Sequence, residues 1–174
     1  MTHQDLKEII RDIPDFPKPG IIFKDITPIL KQSEYFTYAL NVMEKALQNL
    51  EIDYIAGIES RGFIFGAALA ERMDIGFIPI RKPGKLPYKS YKEEYSLEYG
   101  VNTLEIHQDA VSEGERVAVV DDLLATGGTA LAANRLIERC GGKVAVDLFL
   151  IELSFLKGRD QLKNVNIKTI LSFS

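Results

Sequence analysis

Two adjacent carboxylates and the glycine-rich segment after them are the part of this sequence best suited to chemistry. Asp121 and Asp122 stand directly after the apolar run 117–120. Adjacent carboxylates can accept hydrogen bonds from a vicinal diol, and glycines let a backbone approach an anion closely. The residues that would hold a phosphate are Ala125, Thr126, Gly127, Gly128 and Thr129. Together the two halves of the segment predict a site for a ribose 5-phosphate.

Other interpretations explain less of this segment. A nucleotide P-loop carries a Lys-Ser or Lys-Thr pair after its glycines, whereas Gly128 is followed here by Thr129 and Ala130. A strand that ends in a solvated Asp-Asp turn, with a glycine-capped loop behind it, would account for the residues without any ligand. The pattern is continuous over residues 117–129, and this length favours the ribose phosphate site.

A strand and a helix must position this loop. Residues 117–120 are apolar and mostly β-branched, which predicts a strand buried on both faces that ends at the two acids. Ala130, Ala133, Ile137 and Cys140 recur at helical spacing. The loop is therefore expected to open a helix whose first N–H groups and dipole point at the anion.

A second loop of this kind follows the short apolar stretch at residues 53–58. Glu59, Ser60 and Arg61 come next, followed by a helix rich in small residues that can lie close to a sheet. If the two strands are parallel neighbours, this loop places an arginine and a helix N-terminus beside the first anion site. The alternative interpretation is a solvated turn.

A cluster of cations follows the strand predicted at residues 76–80. Arg81, Lys82 and Lys85 suit a pyrophosphate, although a basic turn is usually only solvated. Because side chains alternate along a strand, Arg81 is expected to point away from its own pocket when Lys82 points toward it. Only a neighbouring subunit could then use Arg81.

The N-terminal segment offers a place for a flat ring. The prolines within residues 14–19 impose a stiff, mostly extended path. A purine could stack on Phe23 while its exocyclic amine donates to a backbone carbonyl such as that of Ile22. Alternatively, Phe23 only anchors the segment to the core.

Hydrophobic spacing predicts the remaining elements. Helices are expected at residues 3–11 and 33–50, and strands at residues 144–153 and 167–171. Residues 86–101 are rich in Tyr, Lys and Glu and keep no steady period, which predicts a mobile loop. Residues 104–107 are expected to pair back as a hairpin strand.

The segments described above resemble those of the adenine phosphoribosyltransferases, a family of type I phosphoribosyltransferases. The run VVDDLLATGGT resembles the family motif that binds phosphoribosyl pyrophosphate (PRPP). Further similarity lies in PDFPKPGIIFKDI, GIESRGFIFG, IRKPGKLP, YSLEYG and LSFLKGR. The resemblance implies transfer of the 5-phosphoribosyl group from PRPP to adenine, giving AMP and pyrophosphate in purine salvage.

The same resemblance implies an α/β architecture, the three-layer type I phosphoribosyltransferase fold. It has a mostly parallel five-stranded core sheet in a single domain, residues 1–174. An N-terminal hood occupies about residues 1–30, and a flexible catalytic loop with its hairpin occupies about residues 82–106. Segment 153–159 is expected to border the base site, with a merely packed loop as the alternative.

Site residues are carried over by position. The resemblance assigns adenine binding to Ile22, Phe23 and Lys24, although some members carry Arg at the position of Lys24. It assigns pyrophosphate binding to Ser60, Arg61, Arg81, Lys82 and Lys85, and PRPP or AMP phosphate binding to residues 125–129. The catalytic assignments are Glu98, Asp121, Asp122 and Arg61.

Two structural details also follow from the resemblance. The residue of the family that matches Arg81 reaches pyrophosphate across a dimer interface, so a homodimer is expected. The loop that matches Glu59-Ser60 commonly contains a non-proline cis peptide bond.

Composition limits the function classes. The chain has 174 residues, 46% hydrophobic and 26% charged, with a net charge of −4, which suits one soluble domain without general attraction to nucleic acid. A polar N-terminus and the lack of an apolar run near ~18 residues predict neither secretion nor a membrane span. A single cysteine, Cys140, indicates a reduced, cytoplasmic location.

No metal site built by the protein is expected, because His3 and His107 lack the spacing of metal ligands. Mg²⁺ should instead arrive bound to PRPP, since this hard cation prefers phosphate oxygens and water.

Two rival functions remain open at the level of sequence. A 6-oxopurine phosphoribosyltransferase would share the PRPP motif but needs a side-chain donor facing O6. A PRPP-sensing regulator would keep the fold without chemistry, although no helix-turn-helix appendage or basic nucleic-acid face is visible.

Overall fold

The structure, a computed structural model, describes residues 1–97 and 100–174. Its strands are β1 Arg11–Pro14, β2 Ile22–Asp25, β3 Tyr54–Ile58, β4 Gly76–Ile80, β5 Ser90–Leu97, β6 Gly100–His107, β7 Arg116–Leu124, β8 Lys143–Leu153 and β9 Ile167–Phe173. Its α-helices are α1 His3–Glu8, α2 Thr27–Lys31, α3 Ser33–Leu47, α4 Arg61–Arg72 and α5 Gly128–Arg139. Two short 3₁₀ turns, Ser154–Leu156 and Gly158–Gln161, separate β8 from β9.

Five strands form the central sheet, in the order β4-β3-β7-β8-β9, and every pairing within it is parallel. From β3 the chain crosses over through α4 to β4 on one side, and from β7 it crosses through α5 to β8 on the other. The direction of winding therefore reverses between β3 and β7. In parallel α/β sheets a ligand crevice opens at such a reversal, beyond the carboxyl ends of the strands.

Helices and a hairpin cover the two faces of this sheet. Buried residues of α1 to α4, such as Leu6, Met43 and Phe65, pack against one face. Helix α5 and strand β6 cover the other face through residues such as Ile137 and Ile106. This arrangement confirms the predicted three-layer fold with a five-stranded parallel core.

Helix α4 lies close to the sheet because glycines face it. A Cβ placed on Gly66 would lie 2.9 Å from the Phe77 ring and 3.4 Å from the Cα of Gly57. The prediction that small residues allow close helix-to-sheet packing is therefore confirmed.

The hairpin is more regular than its composition predicted. Strand β5 pairs with β6 along its whole length, so the prediction of a loop without secondary structure is wrong for residues 90–97. Tyr91 and Tyr95 pack against the buried cluster under the hairpin, and the Arg139 guanidinium lies 4.5 Å from the Tyr91 ring centroid. These contacts come from β6 and α5, which local periodicity does not reveal.

Several element boundaries also differ from the predictions. Strand β7 runs on to Leu124 because it continues to pair with β8 at Leu123 and Leu124, so it does not end at the two acids. Helix α3 ends at Leu47 and α1 at Glu8. Among the described residues, no helix is long and apolar enough to cross a membrane.

Candidate active site

The reversal between β3 and β7 brings the two predicted anion loops together. A Cβ on Gly62, in the first turn of α4, would lie 2.7 Å from the carbonyl oxygen of Val120 and 3.0 Å from Asp121 Oδ1. The start of α4 therefore rests directly on β7 at Val120 and Asp121. Only a glycine fits this approach, because a side chain would displace either the helix or the carboxylate.

The loop between β7 and α5, residues 125–129, is called the phosphate loop below. It borders a small cavity of about 120 Å³ whose lining includes Asp121, Thr126, Thr129 and Phe149. Gly127 has a φ of 88°, in the left-handed region, and its carbonyl accepts the first helical hydrogen bond, from Leu131 N. A glycine is required by this conformation. The free N–H groups at the start of α5 are donors of the kind that bind an anion at a helix N-terminus.

The two acids have different surroundings because neighbouring residues of a strand face opposite sides. Asp121 is half-buried and borders the cavity, whereas Asp122 is only 3% exposed. Burial, and then the negative charge of Asp122, raise the pKa of Asp121 well above its usual range. Burial also raises the pKa of Asp122, although the Arg61 guanidinium opposes this rise.

Arg61 joins the acid pair to the N-terminal hairpin. Its Nε lies 3.0 Å from Asp122 Oδ2, and its guanidinium carbon lies 5.0 Å from the Phe23 ring centroid. A cation over an aromatic face is attracted by the ring quadrupole. One arginine thus connects α4, β7 and β2, at a point where the resemblance predicts pyrophosphate on one side and the base on the other.

The hairpin of β1 and β2, which lies within the predicted hood, carries Phe23 on its second strand. Phe16 packs edge-on against Phe23 with centroids 5.2 Å apart, while Lys24 binds Asp12 at 2.6 Å. Ile22 is 55% exposed and lies opposite Pro14, which has no backbone N–H to donate to an Ile22 carbonyl. The three residues assigned to adenine therefore lie together on one strand, with Phe23 nearest to Arg61.

The turn between β3 and α4 contains the predicted cis peptide bond, between Glu59 and Ser60. Sequence reasoning gave Glu59 no side-chain role, yet its carboxylate accepts hydrogen bonds from Lys82 N at 2.9 Å and from Arg81 Nε at 3.2 Å. These contacts hold the pKa of Glu59 below its usual range against the effect of burial. Ser60 is exposed at the tip of the turn.

The expected orientation of Arg81 is wrong. Alternation along β4 predicted that Arg81 points away from its own chain's anion loop, but Arg81 contacts Glu59 in that loop and also donates to the carbonyl of Lys85 at 3.2 Å. Both contacts lie beyond the last residue of β4, where regular alternation no longer applies. Lys82 and Lys85 are exposed beside it.

Glu105 is a second carboxylate that the sequence analysis did not single out. It is only 2% exposed on β6, lies 2.9 Å from Lys92 Nζ and accepts from Gly84 N at 3.3 Å. It therefore ties the hairpin to the cationic turn at residues 81–85. Its sequence position, within a predicted strand and between two apolar residues, was the only available signal. The assigned Glu98 lies outside the described residues.

Comparison with known proteins agrees with this geometry. The sequence profile of the phosphoribosyl transferase domain family matches residues 31–164. An adenine phosphoribosyltransferase from Caldanaerobacter subterraneus subsp. tengcongensis is 55% identical over 173 residues, which cover 99% of this chain and 100% of the relative. Another from Chloroflexus aurantiacus is 54% identical, with the same coverage of both chains.

Solved structures of similar proteins share the whole fold. The adenine phosphoribosyltransferase from Thermoanaerobacter pseudethanolicus superposes with a TM-score of 0.97 at 53% identity, covering 99% of this chain and 100% of that one. The Saccharomyces cerevisiae enzyme, crystallised with an imino-altritol bisphosphate and adenine, gives a TM-score of 0.91 at 42% identity, with 97% and 98% coverage. This chain therefore belongs to the adenine phosphoribosyltransferases.

Proposed function

We propose that the crevice between β3 and β7 is the active site in which this chain transfers the 5-phosphoribosyl group of PRPP to adenine, giving AMP and pyrophosphate. One observation carries the proposal. The acid pair and phosphate loop on one side of the crevice meet Arg61 and the Phe23 ring on the other, across a 3.0 Å ion pair. The groups needed for ribose, phosphate, pyrophosphate and base therefore converge on one edge of the sheet.

The ribose phosphate is held by β7 and the loop after it. The phosphate loop grips the 5′-phosphate through backbone N–H groups and the hydroxyls of Thr126 and Thr129. Asp121 and Asp122 accept hydrogen bonds from the ribose diol. As pyrophosphate departs from C1, positive charge develops on the ribose, and ionised carboxylates stabilise it.

Pyrophosphate leaves toward the β3–α4 turn. Ser60, Arg61 and backbone N–H groups of this turn receive it, together with Lys82 and Lys85 from the turn after β4 and with Arg81 of a neighbouring subunit. Glu59 fixes the relative position of these two turns through Lys82 N and Arg81 Nε. Mg²⁺ enters as part of the PRPP complex and, when bound, neutralises part of the pyrophosphate charge.

Adenine lies under the hood. It stacks on Phe23, with Ile22 and Lys24 bordering it, and its exocyclic amine donates to a backbone carbonyl of Ile22. N9 then attacks C1 as the bond from C1 to the pyrophosphate oxygen breaks, and the proton of N9 is lost. Glu98 acts on this proton or shields the cationic ribose once the hairpin region closes. Catalysis is mainly placement and charge.

The assembly and location are proposed on the same basis. We infer a homodimer, supported by the open edge of β4 and by the exposure of Ile64 and Tyr88, which are 40% and 57% exposed. A cytoplasmic location is supported by the unpaired Cys140.

A turnover assay tests the activity and the base assignment together. The purified chain is supplied with PRPP and Mg²⁺ and with adenine, hypoxanthine or xanthine. We expect kcat/KM for adenine to exceed the others by at least about 100-fold, since an acceptor carbonyl is left unpaired by a 6-oxopurine. Comparable rates with hypoxanthine would contradict the proposed carbonyl contact, and turnover of none of the bases would contradict the activity.

A further inference from the structure

A glycine contact links the phosphate loop to the segment that follows β8. A Cβ on Gly127 would overlap the carbonyl oxygen of Gly158, and a Cβ on Gly158 would overlap the carbonyl oxygen of Ala125. A Cβ on Gly158 would also lie 3.0 Å from Leu124 Cδ1. The two backbones therefore touch, and Gly158 forms the wall behind the phosphate loop.

Gly158 is placed there by a residue in an uncommon conformation. Lys157 has a φ of 54° and a ψ of 34°, in the left-handed region, and it connects the two 3₁₀ turns after β8. A non-glycine residue pays a steric cost there, so neighbouring contacts must hold the turn.

Arg159 supplies those contacts. It forms a two-pronged pair with Glu152, with Nε 2.7 Å from Oε1 and Nη2 2.8 Å from Oε2. Nη2 also lies 2.9 Å from Thr169 Oγ1, and that hydroxyl donates to Glu152 Oε2 at 2.9 Å. One planar side chain thus fastens the turn to the end of β8 and to the first half of β9. Its contact lowers the pKa of Glu152 below the usual range.

A buried leucine also holds the chain after Gly158. Leu162 is 2% exposed and packs with Leu124, Ala130 and Phe149, which surround the base of the phosphate loop. Arg159 and Leu162 therefore both hold the chain that follows Gly158 at its contact with Gly127.

We propose that Arg159, fastened to Glu152 and Thr169, is a positioning residue that holds Gly158 against the phosphate loop and so sets the affinity for the 5′-phosphate. The inference rests on the proposed function, because it takes the phosphate loop as the 5′-phosphate site. It gives segment 153–159 a role at the phosphate in addition to the expected border of the base site. Arg159 acts through Gly158 and does not touch the substrate.

The test compares Arg159→Lys with a matched control, Arg72→Lys. Lysine keeps the charge but cannot form the two-pronged pair. Arg72 joins α4 to α3 through Asn41 at 2.8 Å and Glu44 at 3.4 Å, away from the phosphate loop. Ribose 5-phosphate binding is measured by calorimetry, since this probe carries the phosphate and diol without reacting, and KM for PRPP and adenine is measured in the same samples.

We expect Arg159→Lys to weaken ribose 5-phosphate binding and to raise KM for PRPP by about 5- to 30-fold, with kcat and KM for adenine within about twofold of wild type. Thr169→Val is a milder change. It should weaken ribose 5-phosphate binding and raise KM for PRPP by about 2- to 5-fold. Arg72→Lys should change none of them.

Four results would overturn the inference. Unchanged ribose 5-phosphate binding in Arg159→Lys and Thr169→Val would do so, as would a rise confined to KM for adenine. An equal loss in Arg72→Lys would mean that general loosening is responsible. If wild type itself does not bind ribose 5-phosphate, the proposed phosphate site is wrong and the inference is wrong with it. In the other outcomes wild type binds the probe, so a failure of the Arg159 inference alone can be recognised.

Discussion

Arg61 Nε lies 3.0 Å from Asp122 Oδ2, although Arg61 begins α4 and Asp122 lies on β7. Asp122 is nearly inaccessible, while the Arg61 side chain is 34% exposed. The arginine therefore compensates a buried acid from one side and remains accessible from the other. This arrangement makes the charge of Asp122 available to the reaction without leaving it unpaired.

Replacing either acid should reduce turnover much more than stability. Asp121→Asn and Asp122→Asn keep the shape of the side chain but remove the negative charge that favours a cationic ribose. We expect kcat to fall by about 10- to 100-fold in each variant. Urea denaturation should show losses of no more than about 1 kcal/mol, because an amide oxygen can still accept from Arg61 at position 122 and from the Asp122 N–H at position 121.

The pH dependence of turnover should report the ionisation of Asp121. Burial and the charge of Asp122 raise the pKa of Asp121, so lowering the pH protonates Asp121 earlier than an ordinary aspartate. The protonated form accepts fewer hydrogen bonds and lacks the charge, and kcat/KM for PRPP should therefore fall on the acid side. In Asp121→Asn, the pH profile of kcat/KM for PRPP should no longer show this fall, the acid limb. An unchanged acid limb in that variant would assign it to another group.

A different buried acid should control stability. Asp147 is 0% exposed on β8 and accepts from Asn134 Nδ2 at 2.8 Å, while Asp147 Oδ1 and Asn134 Oδ1 have no hydrogen-bond partner. Burial raises the pKa of Asp147 to about 7. Since this folded-state pKa is above the unfolded value, the folded state holds the proton more tightly.

Below about pH 4, Asp147 makes its full contribution of about 4 kcal/mol to the free energy of unfolding. This contribution is lost as the pH rises to about 7. Asp147→Asn should remove this dependence, because its amide can donate to Asn134 Oδ1 at every pH. Urea unfolding at pH 5 and pH 8 measures the difference. Relative to wild type, the variant should have a larger free energy of unfolding at pH 8 than at pH 5. An equal difference between the two proteins at both pH values would contradict the assignment.

Local sequence patterns predicted the central sheet because its strands contain continuous apolar runs, which are typical of parallel strands buried on both faces. They failed where contacts with another element decide the structure. Strand β5 is stabilised by β6 and by Arg139 from α5, and the end of β7 by β8. The order of strands, which brings Arg61 to Asp122, is a property of the whole sheet and is not encoded in either loop. The glycine contact between Gly127 and Gly158 is of the same kind.

Close packing at the start of α4 gives another prediction. Gly62→Ala would place a Cβ 2.7 Å from the Val120 carbonyl and 3.0 Å from Asp121 Oδ1, so α4 must shift away from β7. We expect a loss of about 1–3 kcal/mol in the free energy of unfolding and a clear fall in kcat/KM for PRPP. Ala67→Ser, at an exposed position of the same helix, should stay within about 0.5 kcal/mol of wild type. Full activity in Gly62→Ala would show that the carboxylate tolerates the displacement.

Mixing two inactive variants decides which subunit uses Arg81. The resemblance predicts that Arg81 reaches the pyrophosphate of a neighbouring chain, whereas Arg81 in this structure contacts Glu59 of its own chain at 3.2 Å. We expect both a homodimer by sedimentation and use of Arg81 in trans, because it lies at the end of β4, the edge strand of the sheet.

Arg81→Ala and Asp121→Asn chains are unfolded together, refolded and assayed. In a mixed dimer one site would then carry both lesions and the other neither, so activity should recover to about a quarter of wild type. The two variants refolded separately and then combined without exchange serve as the control. If the mixture stays as inactive as this control, Arg81 serves its own site, through its contact with Glu59.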